Sequence, residues 1–421
     1  MAENICQFYR EFCAENQIKT NPYILQILQE RNPNGEFALK LRGNQRLRQV
    51  QRLSDDDVLV LCKSLQRLSC VTDLDIKFNN ITNAGITHLA ELLQQENSRV
   101  RTLDLSFNDI LTHGAETLSR SLKSNHTLLS LRLSGNKIGN EGSMHMASLL
   151  QVNDTLEELE LSDCDLVNTH THTHHEPIRS HHDQLHPAVS QATQSVTALA
   201  IALKNNPALR CIDISRPLLF SHQEEWAEHW ANMLALNSSL VELHLGKTGL
   251  TDTGTEKLTR GLRFNHSLRY LDLRCNHVTR DGVHHLTKML RENQTLELID
   301  LSSNRIEDEG AEYLSEAITS PGCSLKELSV KSNNITTQGL LALTRAIKAN
   351  TTLTHIYVWG NHLEEPVCKA FRELVSSNRL QPHQTDVSAY EVDGQVFLAE
   401  ASHCLRRHFY SLDDYGTNTQ P

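Results

Sequence analysis

A period decides what this chain can fold into. One template recurs eleven times, starting near Glu36, Val71, Val100, Leu128, Leu156, Leu209, Leu240, Leu268, Leu296, Leu325 and Leu353, and most intervals are 28 or 29 residues. The unit is clearest at 268–290, where Leu268, Leu271, Leu273, Asn276 and Val278 follow strand alternation. Gly282, Val283, Leu286 and Leu290 then recur with helical spacing, and Asn276 and Gly282 mark the turn between the two halves. Each half has an apolar face too small to be buried alone. Every unit therefore needs neighbours, and a stack of strand–helix units forming one quasi-linear body supplies them.

The strand positions repeat as Leu39/Leu41, Leu74/Ile76, Leu103/Leu105, Leu131/Leu133, Leu159/Leu161, Ile212/Ile214, Leu243/Leu245, Leu271/Leu273, Ile299/Leu301, Leu328/Val330 and Ile356/Val358. An asparagine leaves the strand at Asn44, Asn79, Asn108, Asn136, Asn276, Asn304, Asn333 and Asn361. This pattern resembles the leucine-rich repeat, in its ribonuclease-inhibitor-like class, over roughly residues 36–380. The resemblance implies an α/β solenoid, a horseshoe with a parallel inner sheet and outer helices in about eleven repeats. It also implies that these asparagines hydrogen-bond the backbone of adjacent turns, groups that the stack would otherwise bury unsatisfied. The column is broken at Cys164, Pro217 and Thr248, and proline offers neither a side-chain donor nor an acceptor. The same stretch carries an insertion of about 25 residues in the fifth repeat and a sixth repeat of 31 residues, so neighbour coupling is expected to be weakest there.

The ends depart from the pattern. Residues 1–35 read as a helical cap, with Cys6, Tyr9 and Phe12 on one face and a break at Asn21-Pro22. In residues 381–421, Asp393-Gly394 sits between alternating apolar stretches and predicts a two-residue hairpin, because a type I′ turn needs positive φ at both central residues. This hairpin is expected to cap the open end beside Trp359 and Phe371, and the final residues, ending YGTNTQP, read as disordered.

The net charge of -11, with no cluster of Lys and Arg, argues against nucleic acid as a partner. The N-terminus has no basic stretch followed by an apolar core, and no segment is long and apolar enough for a membrane span, so the chain reads as soluble and intracellular. Ten scattered cysteines without a CxxC pair suit reduced thiols. The Asn-X-Ser/Thr triplets at Asn80 and Asn334 follow from the repeat and are read as unglycosylated. Residues 168–190 hold a histidine tract that includes His170, His172, His174, His175, His181, His182 and His186. Imidazoles bind zinc or nickel, but a low-complexity loop lacks groups that orient ligands, so no physiological metal and no cofactor is expected.

The functional expectation rests on the concave side of the sheet, where residues flanking the core leucines point away from the helices. One column reads Lys40, Asp75, Asp104, Arg132, Glu160, Asp213, His244, Asp272, Asp300, Ser329 and Tyr357, and its six acids favour a protein partner with a basic surface. Phe78 and Phe107 near one end and Tyr357 and Trp359 near the other add aromatic contact area, although the latter two suit packing under the hairpin equally well. No GxSxG, GxxxxGK[ST] or HExxH motif is present. The tail YEVDGQVFLAEAS after VWGN narrows the resemblance to one small group of leucine-rich repeat proteins. That implies a non-catalytic interaction scaffold of the cytoplasm and nucleolus, connected with stem- and germ-cell differentiation; a monomer is the expected state. The alternatives are a GTPase activator resembling the Ran-activating proteins, whose long acidic tail is missing here, and a structural component of a larger assembly such as the cilium.

Overall fold

The computed structural model describes residues 2–30, 36–45, 50–67, 70–166, 193–217, 224–403 and 405, and the chain divides into two compact units, Met1–Phe220 and Ser221–Pro421. The boundary falls in the sixth repeat, within the irregular stretch. The histidine tract and the final residues lie outside the described residues.

In the first unit α1 (Ala2–Glu15) and α2 (Pro22–Gln29) precede β1 (Phe37–Lys40). There follow α3 (Asp55–Gln66), β2 (Val71–Asp75), α4 (Asn83–Leu93), β3 (Thr102–Asp104), α5 (Thr112–Leu122) and β4 (Ser130–Arg132). The unit continues through α6 (Gly139–Leu150), β5 (Glu158–Glu160), α7 (Gln194–Leu203) and β6 (Cys211–Asp213). Its strands pair in parallel in chain order, with Leu39, Leu74, Leu103, Leu131, Leu159 and Ile212 in one register. The second unit runs α8 (Glu225–Leu234), β7 (Glu242–His244), α9 (Asp252–Leu262), β8 (Tyr270–Asp272), α10 (Arg280–Glu292) and β9 (Leu298–Asp300). It ends with α11 (Glu307–Ile318), β10 (Glu327–Ser329), α12 (Thr337–Ala349), β11 (His355–Tyr357), α13 (Glu365–Ser376), β12 (Val387–Val392) and β13 (Gln395–Glu400). Leu243, Leu271, Ile299, Leu328 and Ile356 share its parallel register. Six and five strands account for the eleven expected copies, and each unit is a leucine-rich repeat solenoid of the α/β class.

The repeating leucines form the core: Leu74, Leu103, Leu131, Leu271 and Leu328 are fully buried, each removing apolar surface that stabilises the fold by roughly 1.5–3 kcal/mol. Trp230 takes the corresponding helix position in the sixth repeat and is also fully buried. Between repeats the asparagine side chains act as bridges. Asn304 Nδ2 donates to Leu273 O of the preceding repeat at 3.0 Å and to Leu301 O of its own at 2.9 Å, while its Oδ1 accepts from Val278 N at 3.0 Å. Asn79, Asn108, Asn136, Asn276, Asn333 and Asn361 also donate to a strand-end carbonyl of the preceding repeat. Asn44, in the outermost repeat of the first unit, is exposed instead. At the broken positions Cys164 Sγ donates to Leu133 O at 3.2 Å and Thr248 Oγ1 donates to Leu245 O at 3.0 Å, so each retains one contact of the kind an asparagine makes.

Three features go beyond the expected pattern or correct it. The residue before each of ten column positions, from Phe78 and Phe107 through Cys275 and Ser303 to Gly360, has positive φ, yet only Gly135 and Gly360 are glycines. A second asparagine column at Asn125, Asn153, Asn206, Asn265, Asn293 and Asn350 donates to the end of the preceding helix, as in Asn293 Nδ2 to Leu262 O at 2.7 Å. Third, Gly282 does not mark the turn but lies in the first turn of α10. Asp252 Oδ1 accepts from Thr279 N and Gly282 N at 2.8 and 2.9 Å, and a Cβ on Gly282 would come within 2.5 Å of that oxygen. The glycine is there to let one repeat cap the next helix.

At the N-terminus the buried residues described on α1 are Ile5, Cys6, Tyr9 and Cys13, whereas Phe12 is half-buried with the Arg67 guanidinium 5.0 Å from its ring centroid. Asn21 caps α2 and donates to Asp57 Oδ2 of α3 at 3.2 Å, tying the cap to the first repeat. The C-terminal hairpin turns at Asp393 and Gly394, both with positive φ, and packs on α13, whose Phe371 is buried.

Replacing Asn304 by Ala leaves the buried Val278 N–H without its acceptor and removes one of two asparagine donors from each of Leu273 O and Leu301 O, so urea unfolding should report a loss of roughly 1–3 kcal/mol. Asn44→Ala should stay within about 0.5 kcal/mol of wild type. Equal effects at the two sites would contradict the bridging role.

Candidate functional site

The strands place two outward columns on the open face of each sheet, the face turned away from the core leucines. In the first unit the acids of this face are paired within the chain. Arg42 Nε lies 2.5 Å from Asp75 Oδ2, Lys77 Nζ 2.7 Å from Asp104 Oδ2, and Arg132 3.0 Å from Glu158 and 3.3 Å from Glu160. Arg216 lies 2.8 Å from Asp163, and Asp213 accepts the Ser215 N–H at 2.8 Å. Burial pushes the Asp104 carboxyl up, but hydrogen bonds from Lys77 and Ser106 outweigh it and hold the group below its ordinary range. The mutual repulsion expected of stacked acids is thus largely relieved. These carboxylates order a mixed surface instead of standing free.

Phe78 and Phe107 sit at the positive-φ turn position, and their rings stack with centroids 4.6 Å apart and planes within 2°. Phe107 remains 46% exposed. The pair gives the first unit a half-exposed aromatic surface beside its strands.

Asp75, Asp104, Glu158 and Asp213 are themselves buried, and the outward acids of the second unit are buried as well. Asp272 and His244 are fully buried and Asp300 nearly so. His244 Nδ1 lies 3.0 Å from Asp272 Oδ2 and its Nε2 2.5 Å from Glu242 Oε1, so each ring nitrogen faces a carboxylate oxygen. Arg274 places a cation 3.0 Å from Asp272. Asp300 has Ser302 N at 2.9 Å and Ser302 Oγ at 2.5 Å; burial and the Asp272 charge together push its carboxyl up. Burial, with the Asp272 charge adding to it, likewise raises the Tyr270 phenol well above its ordinary value. Tyr357 joins Tyr270, Leu298 and Leu405 in one buried cluster. Trp359 is half-buried, its N–H donating at 3.1 Å to Asp386, the residue before the hairpin.

Among the described residues nine cysteines are free, and no helix is long and apolar enough to cross a membrane.

Comparison with known proteins agrees with this architecture. The Leucine Rich repeat family matches residues 67–90, 96–119, 124–146, 236–258, 264–284, 292–315 and 323–343. Leucine-rich repeat-containing protein 34 of Mus musculus is 42% identical over 419 residues, covering 98% of this chain and 95% of the relative. The Homo sapiens protein of that name is 41% identical over 97% of this chain and 84% of its own length. The ribonuclease inhibitor of Sus scrofa is 37% identical over 108 residues, 25% of this chain and 24% of that protein.

Asp300 yields a pH prediction. Its folded-state pKa is raised, so the native state binds its proton more tightly than the unfolded chain does. Keeping it ionised at neutral pH therefore weakens the fold, and the penalty fades as pH falls through the folded-state value. Asp300→Asn should raise the melting temperature at pH 7, with the gain shrinking on acidification towards pH ~4. A gain that grows as pH falls would contradict the assignment.

Proposed function

Because the chain belongs to the leucine-rich repeat-containing protein 34 family, we propose that it is a non-catalytic scaffold that binds a protein partner on the open face of its repeats. The observation that carries this reading is the Phe78–Phe107 stack. A half-exposed aromatic pair held at the turns that leave two adjacent strands has the composition of an interface anchor. Leucine-rich repeat proteins are generally binding proteins, and the resemblance to ribonuclease inhibitor over a quarter of the chain is in keeping with that class.

The partner we propose carries a basic surface. On the open face of the first unit Asp73, Asp75, Asp104, Glu158, Glu160, Asp163 and Asp213 outnumber Lys40, Arg42, Lys77, Arg132 and Arg216, so the net field is mildly acidic even after pairing. Binding is then weakened by salt, but less than six unpaired acids would make it. Placement in the cytoplasm and nucleolus, with a part in stem- and germ-cell differentiation, is the cellular setting proposed with this scaffold.

Phe107→Asn tests the reading, because asparagine tolerates the positive φ of that turn. Affinity capture with mass spectrometry, run on wild type and variant together, should show at least one wild-type partner lost from the variant while the melting temperature stays within a few degrees. Identical partner sets would exclude the aromatic pair as the anchor.

A further inference from the structure

At one place in the first unit the helical side exposes apolar surface that the repeat does not call for. In each repeat helix the residue two before the last buried leucine or isoleucine is never buried. Among the described repeat helices it is charged in eight, as at Arg120 and Arg260, and polar in two, at Ser148 and Asn232. Only α7 carries an aliphatic residue there, Ile201, which is 54% exposed. One repeat earlier, two residues past the last leucine of α6, Val152 is 59% exposed, where the other repeats of the first unit have Arg67, Gln95, Ser124 and Asn205. Single exposed apolar residues are ordinary, but these two line one groove of about 300 Å³ at the ends of α6 and α7, together with Leu150, Ala202 and Asp154. That volume is at the lower end for a ligand cleft and suits one side chain better than a cofactor.

The charge of the groove has one sign. Asp154 is the single ionisable residue in its lining, and His126 Nδ1, 3.9 Å from Asp154 Oδ1, is beyond hydrogen-bond reach. A helix C-terminus carries partial negative charge, which other repeats meet with a cation: Arg120, Arg260, Arg291 and Lys348 lie in the last turns of α5, α9, α10 and α12. Neither α6 nor α7 has a basic residue there, and Lys204, the C-cap of α7, is exposed and outside the lining. The Asn206 amide in the lining already donates to Leu150 O at 2.8 Å and Asn153 O at 2.9 Å. We propose that this groove receives an arginine side chain of a partner protein, its methylenes lying on Val152 and Ile201 and its guanidinium meeting Asp154 and the ends of the two helices. Arginine suits it better than lysine, because a planar group with five donors can meet a carboxylate and backbone carbonyls at once. This is a second interaction surface, on the helical side of the first unit, and it does not rest on the open-face reading.

The probe is acetyl-leucyl-arginyl-leucine amide, titrated against full-length chain and read by saturation-transfer NMR. Beside it runs the same peptide with citrulline, which keeps the shape of arginine and loses its charge. The arginine peptide should bind wild type saturably, with its arginine methylene protons strongly saturated, and the citrulline peptide should bind at least about tenfold more weakly. Ile201→Arg gives α7 the residue that α5 and α9 carry and should weaken binding at least about tenfold, while Asp154→Asn should weaken it about threefold or more. Both positions are exposed, so both variants should melt within a few degrees of wild type. Equal binding of the two peptides would show an apolar groove without charge recognition and would overturn the proposal. So would wild-type affinity in Ile201→Arg, or no saturable binding to wild type up to about 10 mM. Phe107→Asn should bind the probe as wild type does, so failure of the groove and failure of the open-face reading are separable.

Discussion

The structure depends on a carboxamide that serves two repeats at once. A strand of three residues ends in a turn whose carbonyls point into the stack, where no water reaches them. Asn79, Asn108, Asn136, Asn276, Asn304, Asn333 and Asn361 satisfy those carbonyls with one group and take an N–H of the preceding repeat with the other in nearly every case, so every short strand is fixed to its neighbour by more than its own ladder. The second column, at the helix ends, does the same on the other side of the core. With both edges of each repeat pinned, the leucines between them need only fill volume. The outward residues are left free for other work.

What the sequence made legible follows from this division. Core positions and bridging asparagines repeat because every repeat has the same need, and a repeated need is visible in a single chain. Gly282 was misread because a helical glycine resembles a turn glycine in sequence; its purpose is the 2.5 Å clearance for Asp252, a contact 30 residues away. The second asparagine column is readable in the recurring Asn-X-Ser/Thr-Leu strings such as Asn265 to Leu268 and Asn293 to Leu296, but the same strings fit the glycosylation triplet, which hides their structural role. The positive-φ position carries Phe, Asp, Arg, Lys, Cys and Ser as well as Gly, and no residue type announces it.

The candidate site was legible in position and not in state. The outward acids are where strand alternation puts them, but whether a carboxylate stands free depends on the neighbour's side chain. Arg42, Lys77, Arg132 and Arg274 come from positions two residues away on the same or an adjoining strand, and each turns an acid into half of a pair. Leu405 was not foreseeable from any period. It reaches Tyr270, Leu298 and Tyr357 across up to 135 residues of sequence, through a hairpin whose turn was readable but whose direction was not.

The account therefore gives the outward aromatics two states: the Phe107 ring of the first unit stands half-exposed, while Tyr270 and Tyr357 of the second are buried. Hydroxyl-radical footprinting of the native protein, read by mass spectrometry at single residues, measures this directly. Phe107 should be oxidised rapidly and Tyr270 and Tyr357 slowly. Fast oxidation of Tyr270 and Tyr357, or protection of Phe107, would contradict it.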